Sequence, residues 1–189
     1  MPKPTSRRPL LAAITALAVT SCSGKEVALT KDTPRIEVTS SAFTTGGEIP
    51  TRHACKGQGG EDRSPELSWS GVPAAAKSLA IVADDPDAPM GTWVHWVAYG
   101  IPTTVTEVPE GLDASAELSA GGKQGNNSWK KPGYGGPCPP KGTHRYFFKV
   151  YALDIEPALA SGATKDDLVK AIDGHVVAAG ELMGTFTRK

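Results

Sequence analysis

The sequence predicts a mainly β domain of sandwich type with a helical element near its C-terminus. Three observations predict it. Glycine (21) and proline (16) punctuate the 189-residue chain, so regular elements must be short. The runs between them are rich in aromatic and β-branched residues and either alternate or stay apolar throughout, the patterns of half-buried and fully buried strands. One late stretch alone combines three-to-four apolar spacing with helix caps. Many short strands and one late helix favour sheet-on-sheet packing.

The chain opens with a segment that is not part of this fold. Lys3, Arg7 and Arg8 precede an apolar run from Leu10 to Val19, about half of the roughly twenty residues needed to span a bilayer. Val19-Thr20-Ser21-Cys22 follows. A small residue before a cysteine at the end of such a run resembles the lipobox of bacterial lipoproteins. On that resemblance residues 1–21 are a signal peptide and Cys22 carries acyl chains, palmitate among them, a stable anchor when two or more are present. The alternative is a secretory signal with an incidental cysteine. Ser23 in place of Asp favours the periplasmic face of the outer membrane in a two-membrane cell envelope. Residues 22–34 are polar and aperiodic and read as a flexible tether; residues 35–189 form the domain. Losing three basic residues with the signal moves the formal charge from 0 to −3. No basic run or basic helix is present, which argues against a nucleic-acid partner.

Along the chain, Arg35–Thr39 and Glu66–Trp69 alternate as half-buried strands, and Ser78–Ala83 is a continuous apolar run suited to a buried central strand. Trp93–Tyr99 is aromatic and β-branched. Pro102–Trp129 has few periodic apolar positions and reads as a long excursion around Gly121-Gly122. Arg145–Leu153 is the clearest strand: Tyr146, Phe148, Val150 and Ala152 share one face, and Phe147, Lys149, Tyr151 and Leu153 the other. Thr164 caps the helix, Asp166 and Asp167 suit its positive end, and Leu168, Val169 and Ile172 form its apolar face. Asp173-Gly174 ends it. His175–Gly180 reads as a further turn or short helix, and Glu181–Arg188 as a last strand.

Cys55 and Cys138 remain once Cys22 is set aside. In an exported chain they suggest a disulfide, with two separate thiols as the alternative.

Two segments carry the chemistry. In Asp85-Pro86-Asp87-Ala88-Pro89 the prolines stiffen a turn that holds two carboxylates. Strand alternation after it puts Trp93 and His95 on one face, with Val94 and Trp96 on the other. In the second segment, Gly135 and Gly136 allow close backbone approach, and Pro137, Pro139 and Pro140 rigidify the chain beyond them. His144 and Tyr146 share a strand face while Arg145 points away. Two imidazoles, a phenol and backbone amides can donate to a phosphate or carboxylate, and Asp85 can orient an imidazole through its other nitrogen. Taken singly, such residues are more often core aromatics, satisfied histidines and turns.

Taken together they resemble the phosphatidylethanolamine-binding protein family, and its bacterial Raf-kinase-inhibitor-like branch in particular. The resemblance runs from about Ile36 to the C-terminus. Its most specific parts are Asp85–Pro89, Trp93–Trp96 and Tyr134–Pro140 with His144-Arg145-Tyr146. Ser64–Pro73, Asn126–Trp129 and Tyr151–Asp154 support it. The resemblance implies a β-sandwich with a C-terminal helical element. It also implies an anion pocket on Asp85, Trp93, His95, Pro140, His144 and Tyr146, with Asp87 supporting the turn. Ligands in that family include phosphate-like anions, phospholipid head groups and phosphorylated side chains. Some members regulate kinases and others inhibit serine proteases. Animal members carry a second histidine where this chain has Val94, so part of their site chemistry is absent.

The expected function is non-catalytic binding of a small anionic or phosphate-bearing ligand by a lipoprotein of the cell envelope. The alternative is a protein-interaction role, as inhibitor of an envelope protease or kinase-like partner, through the Pro102–Trp129 excursion. A hydrolase is less supported, since no Gly-X-Ser-X-Gly, His-Glu-X-X-His or Walker-type loop occurs. No cofactor or metal is implied.

Overall fold

Alternation along one strand, Thr143–Leu153, organises the molecule. The computed structural model describes residues 26–115 and 117–189. Its strands are β1 (Glu37–Thr39), β2 (Leu67–Ser70), β3 (Ser78–Asp85), β4 (Trp93–Pro102), β5 (Glu107–Val108), β6 (Lys123–Gln124), β7 (Thr143–Leu153) and β8 (Val176–Thr187). The single α-helix among the described residues, α1, spans Lys165–Ala171. A five-stranded antiparallel sheet runs β6-β4-β3-β7-β8, and a three-stranded one runs β1-β2-β5.

The two faces of β7 separate as the alternation requires. Tyr146, Phe148, Val150 and Ala152 pack toward the small sheet with Val38, Leu67 and Trp69. Tyr151 and Leu153 pack beneath α1 with Leu168 and Ile172. β3 is buried along its whole length because both its faces are covered. Burying a residue such as Phe148 contributes about 1.5–3 kcal/mol, and Phe148→Ala should cost about 3–5 kcal/mol.

The helix forms for local reasons that its sequence states. The Thr164 hydroxyl accepts from Asp167 N, and the Asp167 carboxylate accepts from Thr164 N, a reciprocal capping box. Gly174, at φ 76°, turns the chain back. Tyr99 Oη donates to Ala160 O at 2.6 Å and accepts from Ala163 N at 3.2 Å, fixing the approach to the helix.

Four expectations change. His175–Gly180 is neither turn nor helix: from Val176 onward it is strand, continuous with the expected last one. Val176 pairs with Leu153 and Gly180 with Val150. Gly180 does not interrupt β8; a Cβ there would lie 1.9 Å from Ile36 O, so glycine admits the chain crossing it. Second, β4 is not a regular strand. Trp96 pairs with Ala83 and Val94 with Asp84, which leaves His95 as the extra residue of a bulge. Val94 therefore packs on the helix side and Trp96 on the sandwich side, and the two do not share a face. Third, the stretch read as tether is docked from Glu26 onward. Glu26 pairs with Lys149 and Lys165, Val27 packs near Tyr151, and Ala179 N donates to Pro34 O at 3.0 Å. Fourth, the Pro102–Trp129 excursion contains β5 and β6 and is held by a buried polar hub. Gln124 accepts from Trp96 Nε1 at 2.8 Å and donates to Asp113 O and Ser115 O.

Residues 1–21 and Cys22, to which the signal and lipid-anchor readings refer, lie outside the described residues. Among the described residues no helix is long and apolar enough to cross a membrane.

Candidate anion-binding site

The site is built where β3 ends, β4 bulges and β7 begins. β3 delivers Asp85 into the turn that its prolines shape. Asp85 Oδ1 accepts from Asp87 N at 2.8 Å, closing the turn. Asp85 Oδ2 accepts from His144 Nδ1 at 2.7 Å, in a buried pair.

The bulge turns His95 onto the same side. His95 Nδ1 donates to Gly135 O at 2.6 Å, and Gly135 N returns a bond to His95 O at 2.9 Å. These two bonds join the Trp-Val-His-Trp strand to the Gly/Pro-rich segment. A carbonyl and a carboxylate only accept, so both Nδ1 atoms are donors and both Nε2 atoms are left for other work. Neither Nε2 has a partner among the described residues. Burial pushes the His95 pKa down, more than the Gly135 carbonyl and nearby carboxylates raise it. His95 is therefore neutral near pH 7, with a lone pair on Nε2.

Aromatic rings frame the imidazoles. Tyr146 meets His95 edge-on from beneath, with centroids 5.1 Å apart. Trp129 meets His95 at 5.1 Å and Trp93 at 5.3 Å, also edge-on. Trp129 closes over Gly135, where a Cβ would stand 2.5 Å from its ring. Tyr146 Oη is buried near Asp85 without a well-formed hydrogen bond. Burial and the Asp85 charge push its pKa far above the ordinary phenol value, so it keeps its proton.

The resulting pocket is about 340 Å³. Of the residues expected from sequence, Asp85, Trp93, His95, Pro140 and His144 line it. Tyr146 lies below them. Asp87 does not line the pocket; its carboxylate binds Arg145 and ties the turn to β7. Ala88, Pro89, Met90, Trp129 and Cys138 complete the wall. Sequence reasoning places Trp129 only in a supporting motif and does not select Met90, which is 92% exposed at the rim. An exposed methionine directly after a rigid Asp/Pro turn is the available signal. A larger cavity of about 440 Å³ lies elsewhere, and one of about 550 Å³ adjoins this pocket across Trp129 and Cys138; neither is lined by a histidine.

A disulfide joins Cys55 and Cys138, with Cα atoms 5.5 Å apart. Cys55 N donates to Pro137 O, and Gly136 N donates to Asp62 Oδ1 at 2.9 Å. The second wall is thus fastened to the loop after the short 3-10 turn at Thr51–His53 by covalent and polar links.

The fold and pocket define a β-sandwich of binding type, with a preformed cleft whose floor is polar and whose walls are apolar. Residues 39–187 match the family model described as phosphatidylethanolamine-binding protein, and the chain belongs to that family. A UPF0098 protein of Methanothermobacter thermautotrophicus is 48% identical over 147 residues, covering 78% of this chain and 95% of the relative. A UPF0098 protein of Aquifex aeolicus is 44% identical, covering 81% and 89%. Among solved structures, Escherichia coli YbcL, described as a new member of the mammalian PEBP family, superimposes with a TM-score of 0.76 at 36% identity. That match covers 82% of this chain and 99% of YbcL. The PEBP homolog CT736 of Chlamydia trachomatis gives 0.73 at 40% identity, again covering 82% and 99%.

Proposed function

We infer that this chain is a non-catalytic receptor for a small phosphate-bearing or otherwise anionic ligand. It is read as a member of the bacterial Raf-kinase-inhibitor-like branch, held at the cell envelope by a lipid on Cys22. One observation carries the ligand reading. Two imidazoles have their Nδ1 atoms committed, to Gly135 O and Asp85 Oδ2, while their Nε2 atoms remain free at a pocket of about 340 Å³. That volume suits a small head group.

The two imidazoles divide the work. His144, held through Nδ1 by Asp85 Oδ2, turns its Nε2 toward a phosphoryl or carboxylate group of the ligand. His95, neutral, accepts from a P–OH group, or takes up a proton as a dianion binds. Trp93, Trp129, Pro89 and Pro140 exclude water and so strengthen these bonds. The residues lining the pocket include no hydroxyl, amine or free thiol to serve as nucleophile, since Cys138 is oxidised. This favours binding over acyl or phosphoryl transfer. The anchor reading rests on the lipobox-like Val19–Cys22 sequence.

Calorimetry with inorganic phosphate and phosphoethanolamine tests the receptor. Binding at one site is expected, weakened roughly tenfold or more in His144→Ala, the cost of losing a charge-assisted bond. Equal affinity in the parent, His95→Ala and His144→Ala would overturn the assignment. Mass analysis of the mature N-terminal peptide tests the anchor: an acylated Cys22 is expected, and an unmodified cysteine removes that part.

A further inference from the structure

Asp84 and Asp85 are consecutive in β3, and their side chains leave opposite faces of the sheet. Asp85 enters the histidine pocket. Asp84, 1% exposed, meets two ammonium groups. Lys165, at the start of α1, donates from Nζ to Asp84 Oδ2 at 2.6 Å, and Lys149 Nζ of β7 lies 3.1 Å from Asp84 Oδ1. Lys165 is itself only 4% exposed. Two largely buried positive charges thus face one buried carboxylate.

Glu26 supplies the missing charge. Its Oε1 accepts from Lys165 Nζ and its Oε2 from Lys149 Nζ, so one carboxylate bridges both lysines. Burial works to raise the Glu26 pKa, but the bonds from Lys165 and Lys149 outweigh it and hold the carboxyl below its usual range. Without Glu26 the cluster keeps a net positive charge in a poorly hydrated place, a costly arrangement.

The two halves of this contact lie on either side of the start of the family match. Asp84, Lys149 and Lys165 lie within the region matched by the family model, residues 39–187, and Glu26 lies before it. The leader meets the sheet much as a bound peptide would. After Glu26, Val27 packs into the apolar cluster under α1, and Arg35 forms a parallel bridge with Ala179 of β8. The leader does not fill its groove. A cavity of about 440 Å³ remains beside Lys149, Tyr151 and Gly180, with Lys31 and Arg35 on its border.

We propose that Lys149 and Lys165 form a second anion site, a receptor for a carboxylate carried on an extended acidic peptide, which Glu26 of the same chain occupies in cis. The pattern it selects is an acidic residue followed by a β-branched apolar one. A partner peptide of that chemistry gains the site by displacing Glu26. The proposal is independent of the histidine pocket, which opens on the other face of the sheet.

The test uses the whole mature chain and reads the amine-labelling rates of Lys149 and Lys165 by mass spectrometry. In the parent both are expected to label slowly. In Glu26→Ala both should label at least tenfold faster. Acetate should restore protection at matched ionic strength. A synthetic peptide of residues 26–33 should do so at a concentration at least tenfold lower, and the same peptide with glutamine in place of its glutamate should not. Unchanged labelling in Glu26→Ala overturns the site. Protection by acetate but not by the peptide overturns the peptide as its ligand. The component of phosphate binding that His144→Ala weakens, measured on the same samples, is expected to be unchanged in Glu26→Ala, so failure here is distinguishable from failure of the histidine receptor.

Discussion

The Asp87 carboxylate accepts three hydrogen bonds from Arg145: from the backbone nitrogen and Nε at 2.9 Å each, and from Nη2 at 2.7 Å. The acidic turn is thereby tied to the strand that carries His144. These bonds hold the Asp87 carboxyl down to about 2. A depressed carboxylate pKa stabilises the fold above the unfolded value of about 3.9, and that stabilisation is lost as pH falls through the folded value. The clasp is therefore intact across the physiological range.

Asp87→Asn should leave the protein folded, because both partners are substantially solvated and an exposed pair contributes about 0–1 kcal/mol. Phosphate affinity should fall by roughly tenfold, the scale expected when a positioned ligand group loses its support. Calorimetry together with thermal denaturation checks this: a large drop in Tm with unchanged affinity would show a clasp that serves stability alone.

Stability should decline as pH falls below about 6.5, the unfolded histidine value. Burial lowers the pKa of both His95 and His53, so below that value the unfolded chain binds more protons than the folded one. Urea denaturation at pH 7.5 and pH 5 measures the effect. His95→Gln should show a shallower decline than the parent. Phosphate should offset part of the loss if its binding is coupled to protonation of His95.

Reduction of the Cys55–Cys138 bridge should destabilise the fold and weaken anion binding together. The bridged cysteines are separated by 83 positions in sequence, for which the chain-entropy model gives about 4–5 kcal/mol. Cys138 also lines the pocket. The double variant Cys55→Ala/Cys138→Ala, compared with the parent in denaturant and in calorimetry, measures both effects. Unchanged phosphate affinity would separate the bridge from the site.

Gly135→Ala should displace Trp129. The added methyl would stand 2.5 Å from the indole, which is 38% exposed and free to swing outward. A change in tryptophan fluorescence is expected, with weaker phosphate binding and little loss of Tm. Gly136→Ala should be worse for folding, because its methyl would meet the backbone at His53 O at 2.3 Å.

The alternation of β7 is legible directly in sequence, since its two faces meet two different apolar clusters and the positions from Tyr146 to Leu153 obey period two. The same rule pairs His144 with Tyr146 and Trp93 with His95. It fails where a residue is added: the bulge at His95 is set by the partner strand, and nothing local in Trp93–Trp96 announces it. Gly180 misleads for a related reason. It resembles a breaker, and its cause, the backbone at Ile36, is distant in sequence. Trp129 as a wall and Glu26 as a docked acid depend likewise on long-range contacts. Asp87 is legible as a support of the turn, whereas strand alternation says of its partner Arg145 only that it points away.

The bulge in β4 has a last consequence. Val94 faces Asp84 and Trp96 faces Ala83, which are neighbours on β3, so the ladder closes without His95. Deleting that residue would leave every other pairing of the strand in step. The imidazole is a graft upon a sheet that is complete without it, and the histidine-deleted chain is expected to be a folded molecule whose pocket has lost one of its two imidazoles.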